Sequence, residues 1–238
     1  MHKVYKWFVR IASIVLFISL LGAMVILALS YDASDEALDV LEDEDVRLED
    51  GIYILEPSDV KANIVIYQGG LVQTEAYLVL AQVLKDEGYR VFLPKMPLNL
   101  AILSRNKIEA IINDYPSDLK WIGIGHSLGG ASLALALDKI ELDALIFLAS
   151  YPPSSVDLSE STIDVLSITA SEDYILDEER FEETKSLLPN DTVFEEIQGG
   201  NHAGFGYYGD QRDDGNALIS KAMQHQLVVD YIIDFLSE

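Results

Sequence analysis

Gly125-His126-Ser127-Leu128-Gly129 sets a serine between two glycines at the junction of two different kinds of chain. Before it runs Leu119-Lys120-Trp121-Ile122-Gly123-Ile124, an apolar stretch of strand length. After it comes Gly130-Ala131-Ser132-Leu133-Ala134-Leu135-Ala136-Leu137, rich in helix formers. Strand, sharp turn and helix in that order form the elbow that lifts a serine hydroxyl clear of a sheet. The turn forces unusual backbone angles on the serine, and neighbours without a Cβ avoid the collisions that follow. Three fixed positions recur by chance in roughly one chain in ten of this length at ordinary glycine frequency. The remaining chain must therefore supply a base, an acid and an oxyanion site.

The pattern from residue 51 onward suits that role. Gly51–Leu55 predicts an edge strand, Ala62–Tyr67 a buried strand ending at Gly69-Gly70, and Arg90–Leu93 a strand stopped by Pro94 and Pro97. Tyr77, Leu80, Ala81 and Leu84 recur at helical spacing, and Gly88 closes that helix. Leu98–Asp114 reads as helical. Strands follow at Asp143–Leu148, Asp164–Thr169 and Thr192–Ile197, with helices over Asp177–Leu188 and Ala217–Leu236. Alternating strands and helices predict an α/β domain with a mostly parallel central sheet covered on both faces. Ligands in such sheets bind beyond the carboxyl ends of the strands.

The base follows by elimination among four histidines. His2 precedes the apolar N-terminal segment. His126 adjoins the serine, so its side chain should point away from the hydroxyl, and His225 falls within the last helix. His202, in Gly199-Gly200-Asn201-His202-Ala203-Gly204, lies just beyond the last strand. A serine hydroxyl is a poor nucleophile at neutral pH and needs an imidazole to take its proton. The imidazole needs a carboxylate on its other nitrogen. Asp173 follows a strand end between Ser127 and His202, with Glu172 the nearest competitor and Asp177 a more distant one. The order Ser, Asp, His is that of α/β-hydrolases. Two backbone N–H groups should face the developing oxyanion. Leu128 supplies one; the other is assigned to Gly70, with Leu71 as the alternative.

The N-terminus speaks to location. Ile11–Leu29 is 19 residues without a charge, which as a helix spans ~28 Å, close to a bilayer core of ~30 Å. Lys3, Lys6 and Arg10 precede it and Asp32, Asp35 and Glu36 follow, so the basic end should stay in the cytoplasm and the rest lie outside. The competing expectation is a cleaved leader ending near Ala28-Leu29-Ser30, although the apolar region exceeds the usual length. Beyond residue 30 there are 13 basic against 40 acidic residues, a net of −27. That charge disfavours nucleic acid and anionic headgroups as partners. Ten acids lie between Asp32 and Asp50, opposed only by Arg47, and read as a solvated spacer. The expected organisation is a transmembrane signal-anchor over 1–30, an acidic spacer over 31–50 and the enzyme domain over 51–238. With no cysteine, disulfides and thiolate chemistry are excluded.

Over residues 51–238 the chain resembles the α/β-hydrolase superfamily, and within it a small lidless bacterial and plant group of undefined substrate. Besides the elbow, the resemblance rests on Tyr67-Gln68-Gly69-Gly70-Leu71-Val72 with Ala76-Tyr77, and on Lys95-Met96-Pro97-Leu98-Asn99-Leu100-Ala101. Its most specific part is Gly199-Gly200-Asn201-His202-Ala203-Gly204-Phe205-Gly206-Tyr207-Tyr208-Gly209, followed by Gln211. Gln68 departs from the proline or histidine common there, and Ala170 replaces a common glycine. The short stretch between Leu148 and Asp164 leaves no room for the lid that many lipases insert. It implies an open pocket, with Ser150, Tyr151, Lys95, Phe205 and Tyr207 as candidate lining. The resemblance and the residues together imply a membrane-anchored serine hydrolase acting on a small-molecule or lipid-like acyl compound without metal or organic cofactor. An acyltransferase or a peptidase would use the same groups. A binding module that has lost its chemistry is the alternative of another class.

Overall fold

The computed structural model describes residues 2–237; the side chains of residues 2–4 and 8, those of His2 and Lys3 included, lie outside that description. Eight strands form one sheet: β1 (Val46–Glu49), β2 (Ile52–Leu55), β3 (Ala62–Tyr67), β4 (Tyr89–Pro94), β5 (Trp121–His126), β6 (Ala144–Leu148), β7 (Asp164–Ala170) and β8 (Val193–Ile197). Their order is β1-β2-β4-β3-β5-β6-β7-β8. β1 and β2 are antiparallel to their neighbours, and every pair from β4 to β8 is parallel. This is the α/β-hydrolase fold, with a mostly parallel central sheet flanked by helices.

Alternation along β3 shows why both faces are covered. Ile64 and Ile66 join one core with Leu80 and Leu84 of α3 (Leu78–Asp86) and Val228 and Ile232 of α7 (Lys221–Ser237). Val65 and Tyr67 point the other way, into a second core with Ile108 and Ile111 of α4 (Lys107–Asp114) and Leu133 and Ala134 of α5 (Leu128–Ala136). Each such aliphatic side chain contributes about 1.5–3 kcal/mol on full burial. The chain leaves β3 for β4 on one side, while β5 lies on the other. The carboxyl ends of β3 and β5 therefore diverge, opening the crevice where ligands bind in open α/β sheets. Gly70 and Ser127 both follow these ends.

Before the sheet come α1 (His2–Ala28) and α2 (Asp35–Asp39). Within α1, Tyr5–Ala28 is long and apolar enough to cross a membrane, and it is not buried against the domain.

Several expectations need correction. Residues 31–50 are not merely a solvated spacer. Tyr31 and Ala33 form β-bridges to Val72 and Tyr208, Ala37 is fully buried, and β1 pairs with β2 at the sheet edge. The acids there still reach water because α2 and β1 expose one side, while Arg47 and Lys85 pair with Glu49, Glu56, Asp43 and Asp45. Consequently β2 is an interior strand, and β1 is the edge. Leu98–Asp114 is not one helix: Pro97–Asn99 and Ala101–Ser104 are 3-10 turns, and only Lys107–Asp114 is α-helical. Leu98 and Asn99 both sit at φ 55°, which breaks helical continuity. The last helix begins at Lys221, not Ala217, because Leu218 N–H is turned back to Gly199 O.

His225 is a packing residue on α7. It is buried edge-on against Tyr207, with ring centroids 4.4 Å apart, and neither ring nitrogen has a hydrogen-bond partner. Burial first, and Lys221 second, push its pKa down to about 3, so the imidazole is neutral in the folded protein. The unfolded chain takes up this proton near pH 6.5. The stabilising contribution is therefore complete above pH 6.5 and is lost as pH falls toward 3. His225→Leu should remove this component. In urea titrations the wild type should lose about 2 kcal/mol more than the variant between pH 7 and pH 5.

Candidate active site

Ser127 sits at φ 50°, ψ −121° between β5 and α5, a conformation that costs a non-glycine residue about 1–3 kcal/mol. Close packing holds it there. A Cβ on Gly125 would stand 2.3 Å from the Gly130 backbone, and one on Gly129 would stand 2.3 Å from Tyr67 O. Ser127 N–H donates to Leu148 O at 2.9 Å, and the Ser150 hydroxyl donates to Ser127 O at 2.6 Å. The elbow is thereby tied to β6 and to the loop after it.

His202 opens a short 3-10 turn, His202–Phe205, beyond β8. Its Nδ1 lies 2.8 Å from Asp173 Oδ2, and both side chains are almost fully buried. An ionised carboxylate only accepts, so Nδ1 carries the hydrogen and a neutral ring keeps a lone pair on Nε2. The second oxygen, Asp173 Oδ1, accepts from Ile175 N–H at 2.9 Å and Leu176 N–H at 2.8 Å. The competing acids are engaged elsewhere. Glu172 accepts from the Ser171 hydroxyl, and Asp177 caps α6 (Glu178–Thr184) through Arg180 N–H.

Ser127 and His202 line one cleft of about 280 Å³ with Leu128, Ser150, Tyr151 and Leu176 among its walls. The fifteen residues between β6 and β7 carry no helix over its mouth. Of the other candidate lining residues, Lys95 is paired with Glu75 at 2.6 Å, while Phe205 and Tyr207 are buried in the core. A larger depression, about 700 Å³, is lined by Leu137, Leu142 and residues 157–163; among the described residues no histidine lines it.

The glycine loop after β3 has its N–H groups allotted in a definite way. Gly69 N–H donates to the Tyr77 hydroxyl at 2.9 Å, and Leu71 N–H donates to Asn99 O at 2.8 Å. Among the described residues, no acceptor meets the N–H of Gly70 or of Leu128. A Cβ on Gly70 would lie 3.2 Å from Leu128 Cδ2, so the two segments are adjacent. Leu71, the alternative donor, is thus already engaged. Gln68, which departs from the usual residue there, braces the loop: its amide donates to Val72 O at 2.6 Å, and its carbonyl accepts from the Thr74 hydroxyl.

Several supporting residues are not evident from spacing. Tyr77, fully buried, accepts from Gly69 N–H and so donates to His126 Nδ1 at 2.7 Å. Burial raises its pKa, keeping the proton on oxygen. The His126 ring is directed into the core, 4.6 Å from the His202 ring. Burial, then proximity to His202, holds its pKa well below the usual histidine range. A neutral spacer thus sits behind His202. Gln224 of α7 clamps the preceding residue in both directions: Asn201 N–H donates to its Oε1 at 3.0 Å, and its Nε2 donates to Asn201 O at 2.8 Å. Asp214 accepts from Ala203 N–H at 2.9 Å. Tyr77 follows the glycine loop in the motif ending Ala76-Tyr77, but no short-range pattern announces Gln224 or Asp214. Among the described residues no group of three side chains could hold a metal ion.

A strained serine, a carboxylate-bound histidine and, among the described residues, two N–H groups without acceptors thus lie at the carboxyl rim of the sheet. The sequence profile of the α/β hydrolase family matches residues 63–226, and the chain belongs to that family. No curated protein sequence matches it. Among solved structures, an α/β hydrolase enzyme from the metagenome of Mar Chica lagoon sediments is 17% identical with TM-score 0.58, covering 79% of this chain and 98% of its own. Zea mays acyl-protein thioesterase 2 is 13% identical with TM-score 0.54, over 78% and 98%. A thermophilic esterase from the Planctomycetes species Thermogutta terrifontis is 12% identical with TM-score 0.53, over 79% and 91%.

Tyr77→Phe keeps the ring but leaves Gly69 N–H and His126 Nδ1 without partners in a dry interior. Unfolding by urea should show a loss of about 2–4 kcal/mol. A loss under about 0.5 kcal/mol would mean the hydroxyl is not a bridging group.

Proposed function

We propose that the protein is a membrane-tethered serine hydrolase acting outside the cytoplasm on a carboxylic ester or related acyl bond. The single observation that carries the reading is the 2.8 Å bond between His202 and Asp173, at the rim where Ser127 stands strained. Ser127 Oγ attacks the acyl carbon while His202 Nε2 takes its proton, and Asp173 stabilises the resulting imidazolium. The carbonyl oxygen becomes an oxyanion facing the N–H groups of Leu128 and Gly70. His202 returns the proton to the leaving alcohol, which departs and leaves an acyl-enzyme. Water, deprotonated by His202, then attacks that acyl carbon and releases a carboxylic acid and free Ser127. The esterase and thioesterase named among the structural neighbours agree with an acyl substrate.

A fluorophosphonate probe, which reacts only with an activated serine, should label the wild type and not Ser127→Ala. Unlabelled intact protein would favour a binding module on the same scaffold. Asp173→Asn places the wrong hydrogen against His202, so turnover of p-nitrophenyl acetate should fall about 10⁴-fold, whereas Glu172→Gln should stay within about twofold of wild type. The orientation is checked separately. Protease added to intact cells should digest the domain, and full protection would reverse the assignment.

A further inference from the structure

The segment joining α1 to the domain docks on the active-site rim itself. Backbone bonds carry the helix to Ser30, where Ser30 N–H donates to Leu27 O at 3.1 Å. The very next residue, Tyr31, donates to Leu71 O at 2.7 Å, and Gln73 N–H donates back to Tyr31 O at 3.0 Å. Gln73 then grips both following residues, accepting from Ala33 N–H at 3.0 Å and donating to Asp32 Oδ1 at 2.6 Å. Ser34 N–H reaches Tyr207 O at 2.8 Å, and the Tyr31 and Tyr208 rings pack at 5.7 Å. No slack chain separates the apolar helix from the loop that bears Gly70.

A second set of contacts runs the same way. α1 lies close to the Pro97–Asn99 turn, whose Asn99 O holds Leu71 N–H. Leu100, next along, comes within 3.9 Å of the Cβ position at Gly70. Ile102 and Leu103 follow on the Ala101–Ser104 turn, 39% and 54% exposed. An apolar surface thus continues from the helix, over this turn, to a cleft walled by Leu128, Ala131, Ala149, Ile175 and Leu176.

We propose that this rim rests against the bilayer spanned by α1 and that the substrate is an acyl lipid drawn from it, with a neutral or zwitterionic headgroup. The geometry fixes the direction of entry, because a helix joined rigidly to the carboxyl rim turns that rim toward the membrane. The net charge of −27 beyond residue 30 selects against anionic headgroups. An acyl chain passing over Ile102 and Leu103 remains in apolar surroundings until its ester reaches Ser127. Hydrolysis consumes one water, breaks the acyl C–O bond, and yields a fatty acid and the lysolipid or alcohol. The substrate half of this inference rests on the serine-hydrolase reading; the orientation does not.

The full-length protein reconstituted in phosphatidylcholine vesicles separates these. The chain has no cysteine, so Leu103→Cys and Glu160→Cys each take a single fluorescent label. Glu160 lies by the depression at the opposite end of the sheet. Lipids brominated in the acyl chain should quench the Leu103→Cys label at least threefold more than the Glu160→Cys label. Equal quenching would overturn the orientation. Inserting twenty Gly/Ser residues between Ser30 and Tyr31 alters no side chain of the domain. It should reduce release of fatty acid from diacylglycerol in the same vesicles at least tenfold while leaving soluble p-nitrophenyl acetate turnover within twofold. Diacylglycerol hydrolysis that is absent in the wild type, or insensitive to the insertion, would overturn the lipid substrate. Absence of both fluorophosphonate labelling and soluble-ester turnover in the wild type would instead sink the hydrolase reading, while the quenching comparison still decides the orientation.

Discussion

The left-handed backbone at Ser127 is a local cost of about 1–3 kcal/mol, and much of the surrounding architecture serves to maintain it. Relaxing φ toward an ordinary value would swing α5 away from β5. That swing is opposed by the packing of Leu133 and Ala134 beneath the sheet and by the contact of Gly129 with the carbonyls of Tyr67 and Gln68. The same contact brings the β3 loop beside the first turn of α5, where two N–H groups lack acceptors. One tight turn therefore places Ser127 and sets the Gly70 loop beside Leu128. A side chain at Gly125 or Gly129 would have to displace backbone, which is why the strain and the donor geometry stand or fall together.

His202 depends on more distant parts of the chain. Its ring is hydrogen-bonded to Asp173 after β7, backed by His126 at the end of β5, and its turn is clamped by Gln224 on α7 and Asp214 in the loop before that helix. Tyr77, at the start of α3, links the His126 ring to Gly69 N–H. The neutral charge of His126 matters here. An imidazolium 4.6 Å from the His202 ring would disfavour a positive charge on His202, and burial prevents it from forming.

The sequence disclosed those features that depend on local rules. Glycines flanking a serine, apolar runs of strand length and the position of His202 after the last run follow from backbone sterics and alternation. The order Ser, acid, His selected Asp173, and the fold brings it to the Nδ1 of His202. Features set by tertiary contact were hidden. Nothing near Gln224 in sequence indicates that its amide faces Asn201, because the contact joins an otherwise ordinary helix to the turn after β8, 23 residues earlier. Leu98 and Asn99 have good helical neighbours, yet their left-handed angles serve the bond from Leu71 N–H to Asn99 O, which no periodicity encodes.

The acidic segment shows how composition can mislead about position. Ten carboxylates within Asp32–Asp50 suggest a chain kept in water by its own repulsion, and charge counting has no means of registering a few uncharged residues among them. Ala33 and Ala37 are those residues, with Tyr31 just before them. Their backbone bridges and burial commit the segment to the domain, while the carboxylates remain on its outer side. Two cations offset the crowding, Arg47 toward Glu49 and Glu56, and Lys85 toward Asp43 and Asp45. These exposed pairs contribute less than about 1 kcal/mol each, so the docking rests on the backbone bonds and buried alanines. A segment held in that way transmits the position of α1 to the Gly70 loop, whereas a flexible spacer of the same composition would isolate one from the other.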